Sequence, residues 1–99
     1  MFIPKQLDDL YNRFSDAAYE AGALDRKTKE LIALACSVMA DCVPCIKHHY
    51  AEAVKNDADE AEIMEVMGIT MSIAAGSKRA KYGPLVTELN ASVHKNDRS

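Results

Sequence analysis

The residues of this 99-residue chain that can do chemistry lie in Cys42-Val43-Pro44-Cys45-Ile46-Lys47-His48-His49. Positions three and four apart share a helix face, so Cys42, Cys45 and His49 form one stripe across two turns. At that spacing the two cysteine Cα atoms sit about 5–6 Å apart, within the range a disulfide tolerates. His49 follows Cys45 by one turn, close enough to take or give a proton. Both sulfurs fall at a helix N-terminus, where unpaired N–H groups and the helix dipole favour a thiolate over a thiol. The segment therefore offers a nucleophile, a resolving thiol and a proton carrier.

Other chemistry is possible for the same residues. A structural zinc site needs four ligands, and no second Cys-x-x-Cys answers the first, although His48, His49, Glu30 or His94 are available. Haem attachment requires His directly after the second cysteine, where Ile46 stands. Two buried, inert thiols are the third alternative. No metal or cofactor is assigned. Cys36 lies in an apolar run and reads as core filler rather than a third redox thiol. His48 points about 100° away from His49 and reads as surface.

The elements that must position this stripe are helical. Ala numbers 15, while Gly and Pro together number 7, too few for the turns of an all-β domain. About five helices are expected in an all-α, single domain over residues 1–99. Pro4 opens the first, in which Leu7, Leu10, Tyr11, Phe14, Ala18 and Ala21 recur at helical spacing before Gly22 stops it. Asp25 offers an N-cap to a helix containing Leu31–Ala40, apolar on every face. In so small a domain such a helix implies that a second subunit covers one side. Val43 before Pro44 marks the next break, and a third helix runs from Cys45 to about Lys55. Asp59 and Glu62 resemble a capping box. Ile63, Val66, Met67, Thr70, Met71 and Ala74 then follow helical spacing until Gly76-Ser77. A break at Tyr82-Gly83-Pro84 precedes a last helix with Leu85, Leu89 and Val93 facing inward, and the polar tail Lys95–Ser99 is expected to fray.

Composition excludes several classes. The net charge of −3 is too acidic for a nucleic-acid footprint. The longest apolar run has ten residues, against roughly 20 needed to span a bilayer. The opening Met1–Lys5 lacks the basic flank and apolar stretch of a signal peptide, so a reducing, cytoplasmic setting is expected, in which a Cys-x-x-Cys pair reads as redox or metal chemistry.

At this point the residues resemble a known family. Glu30, eleven residues, Cys42, two residues, Cys45, three residues, His49 is similar to the signature of the carboxymuconolactone decarboxylase and alkylhydroperoxidase D superfamily. Gly22-Ala23-Leu24-Asp25-Arg26-Lys27-Thr28-Lys29-Glu30-Leu31-Ile32 also resembles its opening, and the likeness covers about residues 20 to 80. The resemblance implies that Cys45 attacks a hydroperoxide, that Cys42 resolves the product to a disulfide, and that His49 and Glu30 move protons. It implies an external dithiol reductant of lipoyl or thioredoxin type, and an all-α homo-oligomer, trimer or hexamer. Pro44 stands where peroxidases of the family often have His, which makes a disulfide reductase with little peroxidase activity the alternative; a non-catalytic metal-binding or structural module is a further one. Lactone decarboxylases generally lack the paired cysteines, so decarboxylation is not expected. Simple antiparallel packing of helices broken between Ala40 and Cys45 would set Glu30 opposite residue 55, about 9 Å along the axis from His49.

Overall fold

In a computed structural model, which describes residues 2–94, the chain folds into four helices with no strand among those residues. They are α1 (Lys5–Ala18), α2 (Arg26–Met39), α3 (Val43–Lys55) and α4 (Glu60–Val93). The tail expectation lies outside the described residues.

Helix boundaries follow from local chemistry. The Asp25 carboxylate accepts the Thr28 N–H at 2.7 Å and caps α2. The α2–α3 connection is a tight left-handed turn. Asp41 has φ 55°, its N–H bonds to the Val38 carbonyl, and the Cys42 N–H reaches back to Ser37. This double bond pattern closes a helix in the Schellman manner, with aspartate where glycine is usual. The turn after α3 repeats it: Asp57 has φ 71°, and Asp57 and Ala58 bond back to Val54 and Ala53. Asp59 and Glu62 form the reciprocal capping box that opens α4.

The core is small and lies where α2, α3 and α4 meet. Leu34, Ala53, Ala58 and Ile63 are buried together, with Leu31, Ile46 and Met67 packed around them. Ala58 thus seals the second turn against Ala53, the apolar contact that accompanies this kind of helix end. Lys27 and Glu62 pair at 2.6 Å and tie the start of α2 to the start of α4. The buried hydroxyls of Ser37 and Thr70 bond back to Ala33 and Val66 one turn earlier.

Several expectations need correcting. There are four helices rather than about five, because α4 runs unbroken through Gly76 and through Tyr82-Gly83-Pro84. Proline inside a helix removes one N–H donor and crowds the preceding residue; Gly83, having no Cβ, relieves part of that crowding. Leu85, Leu89 and Val93 are exposed rather than inward-facing. In addition, α1 stops at Ala18, short of Gly22, and α3 begins at Val43 rather than Cys45, with Pro44 in its first turn. The spacing assigned to the first part of α4 holds as far as Thr70: Ile63 and Thr70 are buried and Val66 and Met67 half-buried, whereas Met71 and Ala74 are exposed.

The molecule is far from spherical. Its radius of gyration is 20.3 Å, against about 13 Å for a compact domain of this length. Helix α1 buries none of its residues and packs on no other helix among those described. Every residue from Met71 to Asn90 is exposed as well.

The end-to-end ties of this frame are ionic and therefore pH-dependent. The Lys27 ammonium and the Asp59 N–H hold the Glu62 carboxyl below its usual range, and the Thr28 backbone bond lowers Asp25. Both contribute stability above the ordinary carboxyl range that is lost as pH falls through their lowered values. Bonding to Glu62 raises Lys27, whose contribution is complete below its usual 10.5 and is lost as pH rises beyond it. A broad plateau of denaturant stability is expected between these limits, with Glu62→Gln showing a shallower acid limb than wild type in urea titrations.

Candidate functional site

The tight turn delivers Cys42 to the N-cap of α3. Its Sγ accepts the Cys45 N–H at 3.2 Å, and the two sulfurs are joined in a disulfide with Cα atoms 5.2 Å apart. The pair therefore sits at the positive end of α3, as its sequence position indicates.

One turn further, His49 is buried, with 7% of its surface exposed. The Glu30 carboxylate of α2 accepts from His49 Nδ1 at 2.7 Å, which leaves Nε2 as the nitrogen able to take or give a proton. Glu30 is completely buried, and its other oxygen accepts from Arg26 Nε at 2.9 Å. The direct contact settles the geometric question. Because the connection is Ala40-Asp41-Cys42 rather than Asp41–Pro44, α3 starts two residues earlier than expected. Glu30 then falls opposite residue 52, about 4.5 Å along the axis from His49, which a glutamate side chain spans.

A cleft of about 430 Å³ opens beside this arrangement, with Cys45 and His49 in its wall. Tyr19, Leu24, Ile32 and Cys36 are among its other lining residues. Cys42 is not among them, so Cys45 is the sulfur that meets the cleft. The chain following α1 is pinned over the site: Lys29 Nζ donates to the Glu20 carbonyl at 2.6 Å, and the Tyr19 ring lies 4.7 Å from the His49 ring.

The structure thus brings Glu30, Cys42, Cys45 and His49 into one neighbourhood. It does not bring His94, which follows the end of α4, to the lining of the clefts beside His49. No group of three or more His, Cys, Asp or Glu side chains gathers in a metal-holding arrangement among the described residues. Cys36 is exposed rather than core filler, and it lines the same cleft as Cys45 and His49. His48 is exposed, as its helix position indicates, and packs edge-on against His49. Sequence reasoning missed Tyr19, Arg26 and Glu52. Arg26 stands four residues before Glu30, a spacing that signals an ion pair on one helix face; Tyr19 carries no comparable signal.

A helical frame of this kind, with a Cys-x-x-Cys pair at a helix start and a buried Glu–His pair behind it, defines a class of small all-α thiol proteins. The model of the carboxymuconolactone decarboxylase family matches residues 5–86, and the chain belongs to that family. It is 34% identical over 74 residues to a Paracoccus denitrificans protein described as uncharacterized protein 4 in cox locus, covering 75% of this chain and 67% of that one. It is 48% identical over 50 residues to an uncharacterized Haemophilus influenzae protein, covering 50% and 43%. A solved structure from Methanobacterium thermoautotrophicum superposes with a TM-score of 0.72 at 29% identity, over 86% of this chain and 97% of that one. A Thermotoga maritima structure superposes with a TM-score of 0.66 at 25% identity, over 91% and 99%. That protein is described as a carboxymuconolactone decarboxylase family member with a suggested part in antioxidative response.

Glu30 serves the fold as well as the site. Replacing it by Ala leaves Arg26 and a buried His49 without their acceptor, and a loss of about 3–5 kcal/mol is expected in urea unfolding. Exposed-surface replacements such as Glu65→Ala are expected to stay within about 0.5 kcal/mol of wild type in the same assay.

Proposed function

We propose that the protein is a thiol-dependent oxidoreductase that reduces hydroperoxides through Cys45 and Cys42. The observation that carries this reading is the placement of Cys45 and His49 on one cleft wall, with His49 oriented by a buried carboxylate. In the reduced protein His49 takes the thiol proton and the Cys45 thiolate attacks the terminal peroxide oxygen. The O–O bond breaks, the alcohol leaves with a proton from His49, and Cys45 is left as a sulfenic acid. Cys42 attacks that sulfur; the S–S bond forms and water departs. An external dithiol of lipoyl or thioredoxin type then exchanges with the disulfide, is itself oxidised, and restores both thiols. The mostly apolar lining of the cleft suits the carbon skeleton of such substrates. The antioxidative description of the Thermotoga relative supports the same reading.

Assembly belongs to this proposal. The isolated chain exposes 7905 Å². A compact monomer of 10.9 kDa exposes about 5,600 Å². The excess is of the size an obligate interface buries. Leu7, Leu10, Tyr11 and Phe14 on α1, and Leu85 and Leu89 on α4, are the exposed apolar side chains that a neighbouring copy would cover. A homotrimer or homohexamer is expected by sedimentation equilibrium, and a monomer at micromolar concentration would contradict it.

The chemical test uses reduced protein and stoichiometric peroxide, followed by alkylation under denaturing conditions. Wild type is expected to lose two alkylatable thiols, Cys42 and Cys45, while Cys36 still reacts. Cys42→Ser is expected to hold a sulfenic acid on Cys45, and Cys45→Ser to lose the fast reaction. Unchanged alkylation in folded protein would remove the peroxidase reading; rapid reduction of a disulfide substrate by that same protein would establish the reductase alternative, to which Pro44 in the first turn of α3 is suited.

A further inference from the structure

Behind His49 lies a second cleft of about 390 Å³ that Cys45 does not line. Arg26, His48 and Glu52 border it, together with Asp16 of α1 and Tyr19 and Glu20 just after it. Across this cleft Arg26 joins two helices. Its Nε donates to Glu30 on its own helix at 2.9 Å, and its Nη2 donates to Glu52 of α3 at 3.4 Å. The two Glu30 oxygens are thereby divided: one faces Arg26, the other His49.

That division matters because the terminal torsion of a glutamate is intrinsically loose. A carboxylate held only by His49 can rotate and change both the angle and the distance of that bond. Glu30 is fully buried with Arg26 in place, so its outer oxygen takes its donor from the guanidinium rather than from water. The planar guanidinium offers donors in a fixed fork, which is what allows one side chain to hold two carboxylates on different helices.

We infer that Arg26 is the positioning residue that turns the Glu30 carboxylate toward His49, so that thiol reactivity at Cys45 depends on a side chain outside the thiol cleft. Glu52 anchors the far end of the guanidinium. The charged and titratable groups around the relay are Asp16 of α1, Tyr19 and Glu20 just after it, Arg26, Lys29 and Cys36 on α2, and His48 and Glu52 on α3. The inference rests on the thiol reading above.

The test follows two rates in the reduced full-length protein, peroxide oxidation and alkylation of Cys45, across a pH series, for wild type, Arg26→Gln, Arg26→Lys and Glu30→Gln. Circular dichroism and melting are recorded for each. Arg26→Gln and Glu30→Gln are expected to slow Cys45 by about tenfold or more, since misplacing a reacting group by an ångström costs up to about a hundredfold. The pH midpoint of alkylation is expected to rise toward that of an unassisted thiol, about 8.5. Arg26→Lys is expected to recover much of the rate, because an ammonium still donates to the outer oxygen of Glu30. A purely structural role would lower the melting temperature without moving the midpoint.

Arg26→Gln with wild-type rate and midpoint, while Glu30→Gln loses both, would overturn the role of Arg26 and leave the proposed chemistry standing. No effect of Glu30→Gln would overturn the relay and Arg26 with it. Protein inert to peroxide would overturn the peroxidase reading alone, since alkylation still reports on Arg26. Should Arg26→Gln not fold, Glu52→Gln carries the test: a smaller midpoint shift in the same direction supports the inference, and an unchanged midpoint overturns it.

Discussion

A buried carboxylate joins the two central helices of this protein. Glu30 has no exposed surface, and a carboxylate removed from water must be compensated or it unfolds its surroundings. Here the compensation is divided between Arg26 and His49. The requirement constrains the rest of the molecule. It fixes the register of α2 against α3, holds the imidazole ring in one orientation, and brings the start of α3, with its two sulfurs, to the same wall. The contact that compensates the buried carboxylate is thus the same one that, in the proposed function, orients the proton carrier.

The helix ends do the remaining work. Asp41 takes the left-handed conformation that ends α2 and allows Cys42 to begin α3 after a three-residue connection. A longer connection would slide His49 away from Glu30 by about 1.5 Å for each residue that α3 started later. Pro44 occupies the first turn, where its missing N–H costs no helical bond. The disulfide then closes across a helix start, where the dipole favours the thiolate that reduction would release. On the other side, the Lys27–Glu62 pair and the Asp59 capping box bring α4 under the core with the same economy.

Much of this was legible in the sequence, for physical reasons. The Asp59–Glu62 box, the Asp25 cap and the inward face from Ile63 to Thr70 are local patterns, and local patterns survive folding. The Cys42, Cys45 and His49 stripe needs only helical spacing. The contact of Glu30 with His49 was not legible as geometry, because it turns on two residues of helix start and on a left-handed aspartate that sequence does not announce. The continuity of α4 through Gly83-Pro84 was hidden for a different reason. Breaker residues report local preference, whereas one missing donor is tolerated in an otherwise favourable helix. The exposure of Leu85, Leu89 and Val93 reflects a face that packs against no other element among the described residues. Apolar pattern tells which faces seek burial, and not whether the partner lies in the same chain.

The central claim is that His49 is held through Nδ1 by Glu30, leaving Nε2 for the thiols. Nitrogen-15 NMR of the reduced protein, labelled at histidine, reads this directly. The account predicts a proton on Nδ1 of His49, slow to exchange with water and lost as a distinct signal in Glu30→Gln. A proton resident on Nε2, or an Nδ1 site in free exchange with solvent, would contradict it.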